Sequence, residues 1–217
     1  MKIRKLFSED DLAAIKQATA AAETRTGGEI VPYIVERVID HAEAQWRGAA
    51  LGSMGLALLA GVVHALQGFW GGHGVWWITL PAMTGAGIGY VVAGIDAVGR
   101  RLLPQDQIER AVRLRAEAAF LEEEVFNTRD RTGVLVMLAL SEQQAVIIGD
   151  EGINRAVPEG EWQRLVDDLV AGIKAGRAAA ALEETMARCG EVLETHRVEL
   201  RPDDEDELAD APRLRER

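Results

Sequence analysis

"NTRDRTGVLVMLALSEQQAVIIGD", residues 127–150, decides the fold. Two apolar runs, "GVLVMLAL" and "QAVIIGD", are separated only by "SEQ", and so tight a connection favours an antiparallel hairpin. Asn127, Arg129, Asp130 and Arg131 crowd the turn before the first run. Upstream, "EIVPYIVERV" (29–38) reads as a third strand rich in β-branched residues, and Pro32 within it predicts an edge position or a bulge.

Helical periodicity surrounds these strands. In "FSEDDLAAIKQATAAAETRTGGE" (7–29), Ser8 with Asp11 forms a capping-box pattern and Phe7 with Leu12 a hydrophobic staple. Leu12, Ile15 and Ala22 share one face, and Gly27 ends the helix. A second helix is expected from Pro104 to about Phe126, with Ala111, Leu114, Ala118, Leu121 and Val125 as its apolar stripe. In "EWQRLVDDLVAGIKAG" (161–176), Trp162, Leu165, Val166, Leu169, Val170 and Ile173 recur at helical spacing. A last helix from about Arg177 carries Leu182, Met186, Cys189 and Leu193 on one face, which makes the single cysteine a core residue.

The middle of the chain follows another rule. Gly48 to Ile95 holds no Lys, Arg, Asp or Glu, in a chain where 27% of residues are charged. The stretch splits around "QGFWGGHG" (67–74) into two halves of about 20 residues, the length a helix needs to cross hydrocarbon. Trp70, Trp76 and Trp77 cluster at the turn, as interfacial aromatics do; Gly48 with Gly52, and Gly85 with Gly89, have the spacing that lets helices approach closely. Residues 48–95 therefore read as a transmembrane hairpin whose partner is the lipid bilayer. Arg47, Arg100 and Arg101 flank it and the turn has no Lys or Arg, so the positive-inside rule places both termini in the cytoplasm. The expected location is the bacterial inner membrane, multi-pass.

Composition excludes other classes. A formal net charge of −11 leaves no basic surface for nucleic acid, and one cysteine permits no internal disulfide. The four histidines have no short metal-ligand spacing, and "MKIRKLF" runs into "SEDD" rather than an apolar signal-peptide core. The expected fold class is α/β: an α/β domain split into residues 1–46 and 104–198 by the hairpin at 47–103, with an acidic disordered tail at 199–217.

The topology also locates a site. If the first two strands are parallel, the turns at Arg25-Thr26-Gly27 and Arg131-Thr132-Gly133 sit at one end of the sheet. The third strand returns Asp150 to that end, opposite about Leu135. Glu29, Asp150 and Glu151 could there hold a hard divalent cation, calcium or magnesium, and Arg131, Arg129 and Thr128 a phosphate. The competing reading is a solvated salt-bridge cluster. No Ser-His-Asp order, Gly-rich phosphate loop, CxxC pair or HExxH is present.

"AETRTGGEIVPYIVE", "FNTRDRTGVLVMLALSEQQAVIIGDEGI", a downstream Trp162 and "GEVLETH" resemble the TPM domain, the family of the thylakoid photosystem II repair protein domain. The resemblance covers about residues 8–46 and 104–197, and Glu29, Thr128, Arg131 and Asp150 match its motif. It implies a three-layer α/β/α fold, divalent-cation binding in some members and phosphatase activity proposed for others. Here the anchor lies inside the domain rather than outside it, and the usual L-x-x-HFP ending is reduced to Leu193 and "ETHRVELRP". Two functions compete: a cytoplasmic-face interaction or assembly factor with a membrane-protein partner, and a cation-dependent phosphatase-like hydrolase.

Overall fold

The computed structural model describes residues 3–67, 74–196, 198 and 207–216; Trp70, His73 and residues 199–206 lie outside them. In chain order the elements are α1 (Ile3–Leu6), α2 (Glu9–Glu23), β1 (Glu29–Val35), α3 (His41–Leu66), α4 (Trp76–Ala93), α5 (Asp96–Leu102) and α6 (Gln105–Glu122). Then follow β2 (Gly133–Ala139), β3 (Gln144–Gly149), α7 (Glu151–Ala156), α8 (Glu159–Lys174), α9 (Ala178–Thr195) and β4 (Arg213–Arg215). They form two units, Met1–Val38 with Glu109–Arg217, and Ile39–Ile108. The second is wider at both ends than the 47–103 segment that composition alone marks.

The first unit is mixed α/β, with a four-stranded sheet in the order β3-β2-β1-β4. β1 and β2 are parallel, from Glu29 opposite Gly133 to Val35 opposite Ala139, and β2 and β3 are antiparallel. Every residue of β1 and β2 is buried, as near-continuous apolar runs require when both faces of a strand are covered. On one face Ile30, Ile34, Val134, Val136 and Leu138 share a core with Ile15 of α2, Leu165 and Leu169 of α8, and Leu182, Met186 and Leu193 of α9. On the other, Arg115 of α6 lies 5.2 Å from the centre of the Tyr33 ring and donates to its hydroxyl. Helix α2 starts with the expected capping box: the Ser8 hydroxyl accepts from Asp11 N–H at 3.1 Å, and the Asp11 carboxylate accepts from Ser8 N–H at 2.8 Å.

Two expectations need correction. Helix α6 stops at Glu122, where Glu124 adopts a left-handed φ of 52°. It buries Val112, Ala116 and Ala119, while Leu114 and Leu121 are 66% and 64% exposed. The helix packs its small residues inward, so a stripe chosen by side-chain size was rotated away from the true one. The region 199–217 is likewise not a uniformly disordered tail: Arg213–Arg215 adds strand β4, parallel to β1 with Arg213 opposite Tyr33. Alternating arginines hid a strand whose ladder is non-local.

In the second unit α3 and α4 run antiparallel with their glycines in register. A Cβ on Gly89 would lie 2.0 Å from the Gly48 carbonyl oxygen, and one on Gly85 2.1 Å from that of Gly52. Only glycine permits such backbone contact. Trp46 meets Tyr90 edge-on near one end, and His64 meets Trp77 near the other. Helix α3 is long and apolar enough to cross a membrane; α4 and α5 pass that test only as a pair, bent by 109° at their junction.

Candidate functional site

The rim lies at the end of the sheet where β1 and β2 begin and β3 ends. Asp150 N–H donates to the Gly133 carbonyl at 2.9 Å, so Asp150 stands opposite Gly133, two residues from Leu135 and within the one or two residues of Gly133 that the turn length predicts. The loop before β2 is a tight turn. Thr128 Oγ1 accepts from Thr132 N–H at 2.9 Å, the Thr128 carbonyl accepts from Arg131 N–H at 3.2 Å, and Arg131 takes a φ of 59°. For a residue with a Cβ that conformation carries a backbone cost.

The glycines explain the motif around it. A Cβ on Gly133 would lie 2.0 Å from the Val125 carbonyl, and one on Gly152 would lie 2.5 Å from that of Asp130 and 2.7 Å from that of Arg131. Gly152 N–H instead donates to the Arg131 carbonyl at 2.9 Å. Thus "TRDRTG" and "DEG" interlock, loop against helix start, which gives the pattern a structural reason independent of chemistry.

At the centre Arg131 grips Asp150. Nη2 donates to Oδ1 at 3.0 Å, while Nε lies 2.8 Å from Oδ2 but off the hydrogen-bonding direction. The aspartate side chain is 5% exposed and the arginine side chain 51%, so the carboxylate is the enclosed partner. It also caps α7, accepting from Glu151 N–H at 2.7 Å. The guanidinium carbon lies 5.7 Å from the Phe126 ring centre, in cation–π range.

The other expected residues are not gathered here. The Glu29 carboxylate accepts from the backbone N–H groups of Glu207 and Leu208, each at 3.4 Å. Arg129 N–H donates to Glu207 Oε2 at 2.9 Å. Glu151 faces solvent and pairs with Arg155 at 2.9 Å. Among the described residues no group of three or more His, Cys, Asp or Glu could hold a metal ion. The expected set of Glu29, Asp150 and Glu151 is split between the tail, Arg131 and Arg155, so the side chains as placed do not fit a divalent cation. Arg25 points elsewhere as well, 3.9 Å from Glu194 and 3.4 Å from the Ala187 carbonyl, so the two Arg-Thr-Gly turns are not equivalent.

Sequence reasoning missed Glu207 and Leu208 because they fall in a stretch read as disordered. The available signal was Pro32, which marked β1 as a strand with an edge to cover. Elsewhere in this unit burial raises two groups: the Tyr33 phenol, against the opposing Arg115 charge, and the Cys189 thiol, pushed up to about 12.

The TPM domain family matches residues 97–192. Over those residues the chain is similar to the TPM domain. Its "TRDRTG" and "DEG" corner lies within the matched residues, whereas α2 and β1 precede them. No curated protein matches the chain. Among solved structures, the NMR structure of the BA42 protein from the psychrophilic bacterium Bizionia argentinensis is similar, with a TM-score of 0.60 and 20% identity over 98% of each chain. At that identity the likeness concerns the fold alone.

Proposed function

We propose that this TPM-domain protein is a membrane-anchored interaction or assembly factor: a three-layer α/β/α domain on the cytoplasmic face, interrupted in sequence by a transmembrane hairpin. The observation that carries this reading is how α3 and α4 pack. They meet through glycine and turn large apolar side chains outward, with Met54, Leu58, Met83 and Val91 about 70% exposed. Water penalises that arrangement and hydrocarbon favours it. Arg47 donates to the Leu102 carbonyl at 3.1 Å and to Glu43 at 2.8 Å, which keeps basic residues together where the chain enters and leaves the pair. With both basic flanks on one side, both termini are cytoplasmic, in the inner membrane of a bacterium. At the rim, Asp150 is ion-paired with Arg131 and Glu29 meets the tail, as suits a docking shoulder better than an open reaction centre. The test is carbonate extraction combined with reporter fusions. The chain stays in the membrane pellet and both termini report cytoplasmic; release into the supernatant, or periplasmic signals from both termini, would overturn the reading.

A second reading, a phosphatase-like hydrolase, is favoured by one observation, the left-handed backbone of Arg131. Strain of that kind often accompanies function. In this reading Arg131, Arg129 and Thr128 hold a phosphate, while Glu29, Asp150 and Glu151 would have to release their present partners to take calcium or magnesium. Its test is hydrolysis of an aryl phosphate with and without magnesium, calcium or manganese. Cation-dependent turnover that Asp150→Ala abolishes in a folded protein supports it. Absence of both turnover and a cation-dependent melting shift removes it, because a ligand bound only by the folded state must stabilise that state.

A further inference from the structure

We propose that the edge of β1 is a strand-addition site for the C-terminal segment of a second copy of this chain, and that residues 207–216 fill it in cis. This deepens the interaction reading by naming its surface and ligand, and it stands whether or not α3 and α4 enter a bilayer.

Backbone donors along β1 alternate between its two sides. Glu29 N–H points toward β2, donating to the Thr132 carbonyl at 3.2 Å, so the donors of Ile30, Ile34 and Glu36 face the other side. Ile30 N–H is taken by Glu23 Oε1 at 2.7 Å, and Pro32 has no N–H to offer. Glu36 N–H donates to the Arg215 carbonyl at 2.9 Å. The tail therefore covers the part of β1 that would otherwise be an open, hydrogen-bonding edge, the feature of a sheet most prone to recruit another strand.

Side chains fix what the site accepts. At one end Glu29 takes the N–H groups of Glu207 and Leu208, and the Glu207 carboxylate takes Arg129 N–H. At the other end Glu123 binds Arg213 at 3.3 Å and Arg215 at 2.7 Å. Residues two apart on a strand share a face, so one carboxylate reads an Arg-x-Arg pair. The Glu123 side chain is only 13% exposed, and a charge so enclosed needs a cationic partner. The site thus calls for an occupant with a spaced acid and two arginines.

The occupant is held lightly. β4 has three residues, its Leu214 is 37% exposed, and Arg215, 51% exposed, makes a partly solvated pair of the kind that contributes little, which leaves Arg213 as the one enclosed ionic contact of the strand. The same segment on another copy makes the same contacts. Exchange between copies then depends on effective concentration rather than on new chemistry.

Two full-length variants in mild detergent separate the outcomes. Arg213→Ala/Arg215→Ala keeps the site and spoils the ligand, and Glu123→Ala keeps the ligand and spoils the site. Mixed, the tagged double variant should capture the Glu123→Ala chain about tenfold better than either variant captures itself. An excess of a peptide spanning residues 205–217 should release it. Capture no better than the self-pairs, with both variants showing wild-type circular dichroism, overturns the proposal. If the double variant does not fold, the wild-type chain is titrated with the fluorescent peptide. Saturable binding that a doubly Arg→Ala peptide lacks supports the site, and the absence of such binding overturns it.

Discussion

The two units solve opposite packing problems. In the α/β unit large side chains such as Leu165, Leu182 and Met186 are inside, and the sheet end is finished with an aspartate–arginine pair. In the α3–α4 pair Gly48, Gly52, Gly85 and Gly89 are inside and Met54, Leu58 and Met83 are outside. With α3 and α4 in a membrane, as proposed, the inversion suits one chain to two solvents: water drives the first core by burying apolar area, whereas hydrocarbon leaves only close contact to hold two helices together.

The comparison can be broken by substitution, starting with the largest effect. Leu182→Ala should cost about 3 kcal/mol of stability in a denaturant melt of the α/β unit, through lost transfer energy and the cavity left behind. Leu58→Ala, equal in chemistry, should leave that melt unchanged. Gly85→Leu should drive α3 and α4 apart, seen as loss of an engineered cross-link between positions 46 and 90, whose rings meet across the native pair, with the α/β melt unaffected. At the rim, Arg131→Ala and Arg131→Gly both abandon Asp150, but glycine accepts the left-handed backbone. Arg131→Gly should therefore be the more stable by about 1 kcal/mol. A smaller effect measures how dry the first core is. Cys189 should resist thiol reagents at neutral pH until the domain unfolds, because burial holds its proton. Its folded pKa is raised from 9.0 to about 12, so its contribution to stability is complete below pH 9.0 and is lost as pH climbs toward about 12.

Much of this was legible in the sequence wherever local pattern decides the outcome. The hairpin of β2 and β3, the capping box at Ser8, the buried face of α8 and the Arg131–Asp150 neighbourhood all follow from periodicity, turn length or motif. What was illegible depends on non-local geometry. Nothing local distinguishes the Ala116–Ala119 face of α6 from the Leu114–Leu121 face; only a close-fitting sheet does. Strand β4 is charged and three residues long, and its reason to exist is an edge more than a hundred residues upstream. The partners at the rim were illegible for the same reason: spacing brought Glu29 and Asp150 to one end of the sheet but could not foresee that the tail would meet the first and Arg131 the second.

The most direct test of the two-solvent account compares Leu58→Cys with Leu114→Cys, which are 70% and 66% exposed as native leucines. In membrane vesicles with the cytoplasmic face outward, a membrane-impermeant maleimide should label position 114 and leave position 58 unlabelled until detergent is added. Equal labelling of both positions in intact vesicles would contradict it.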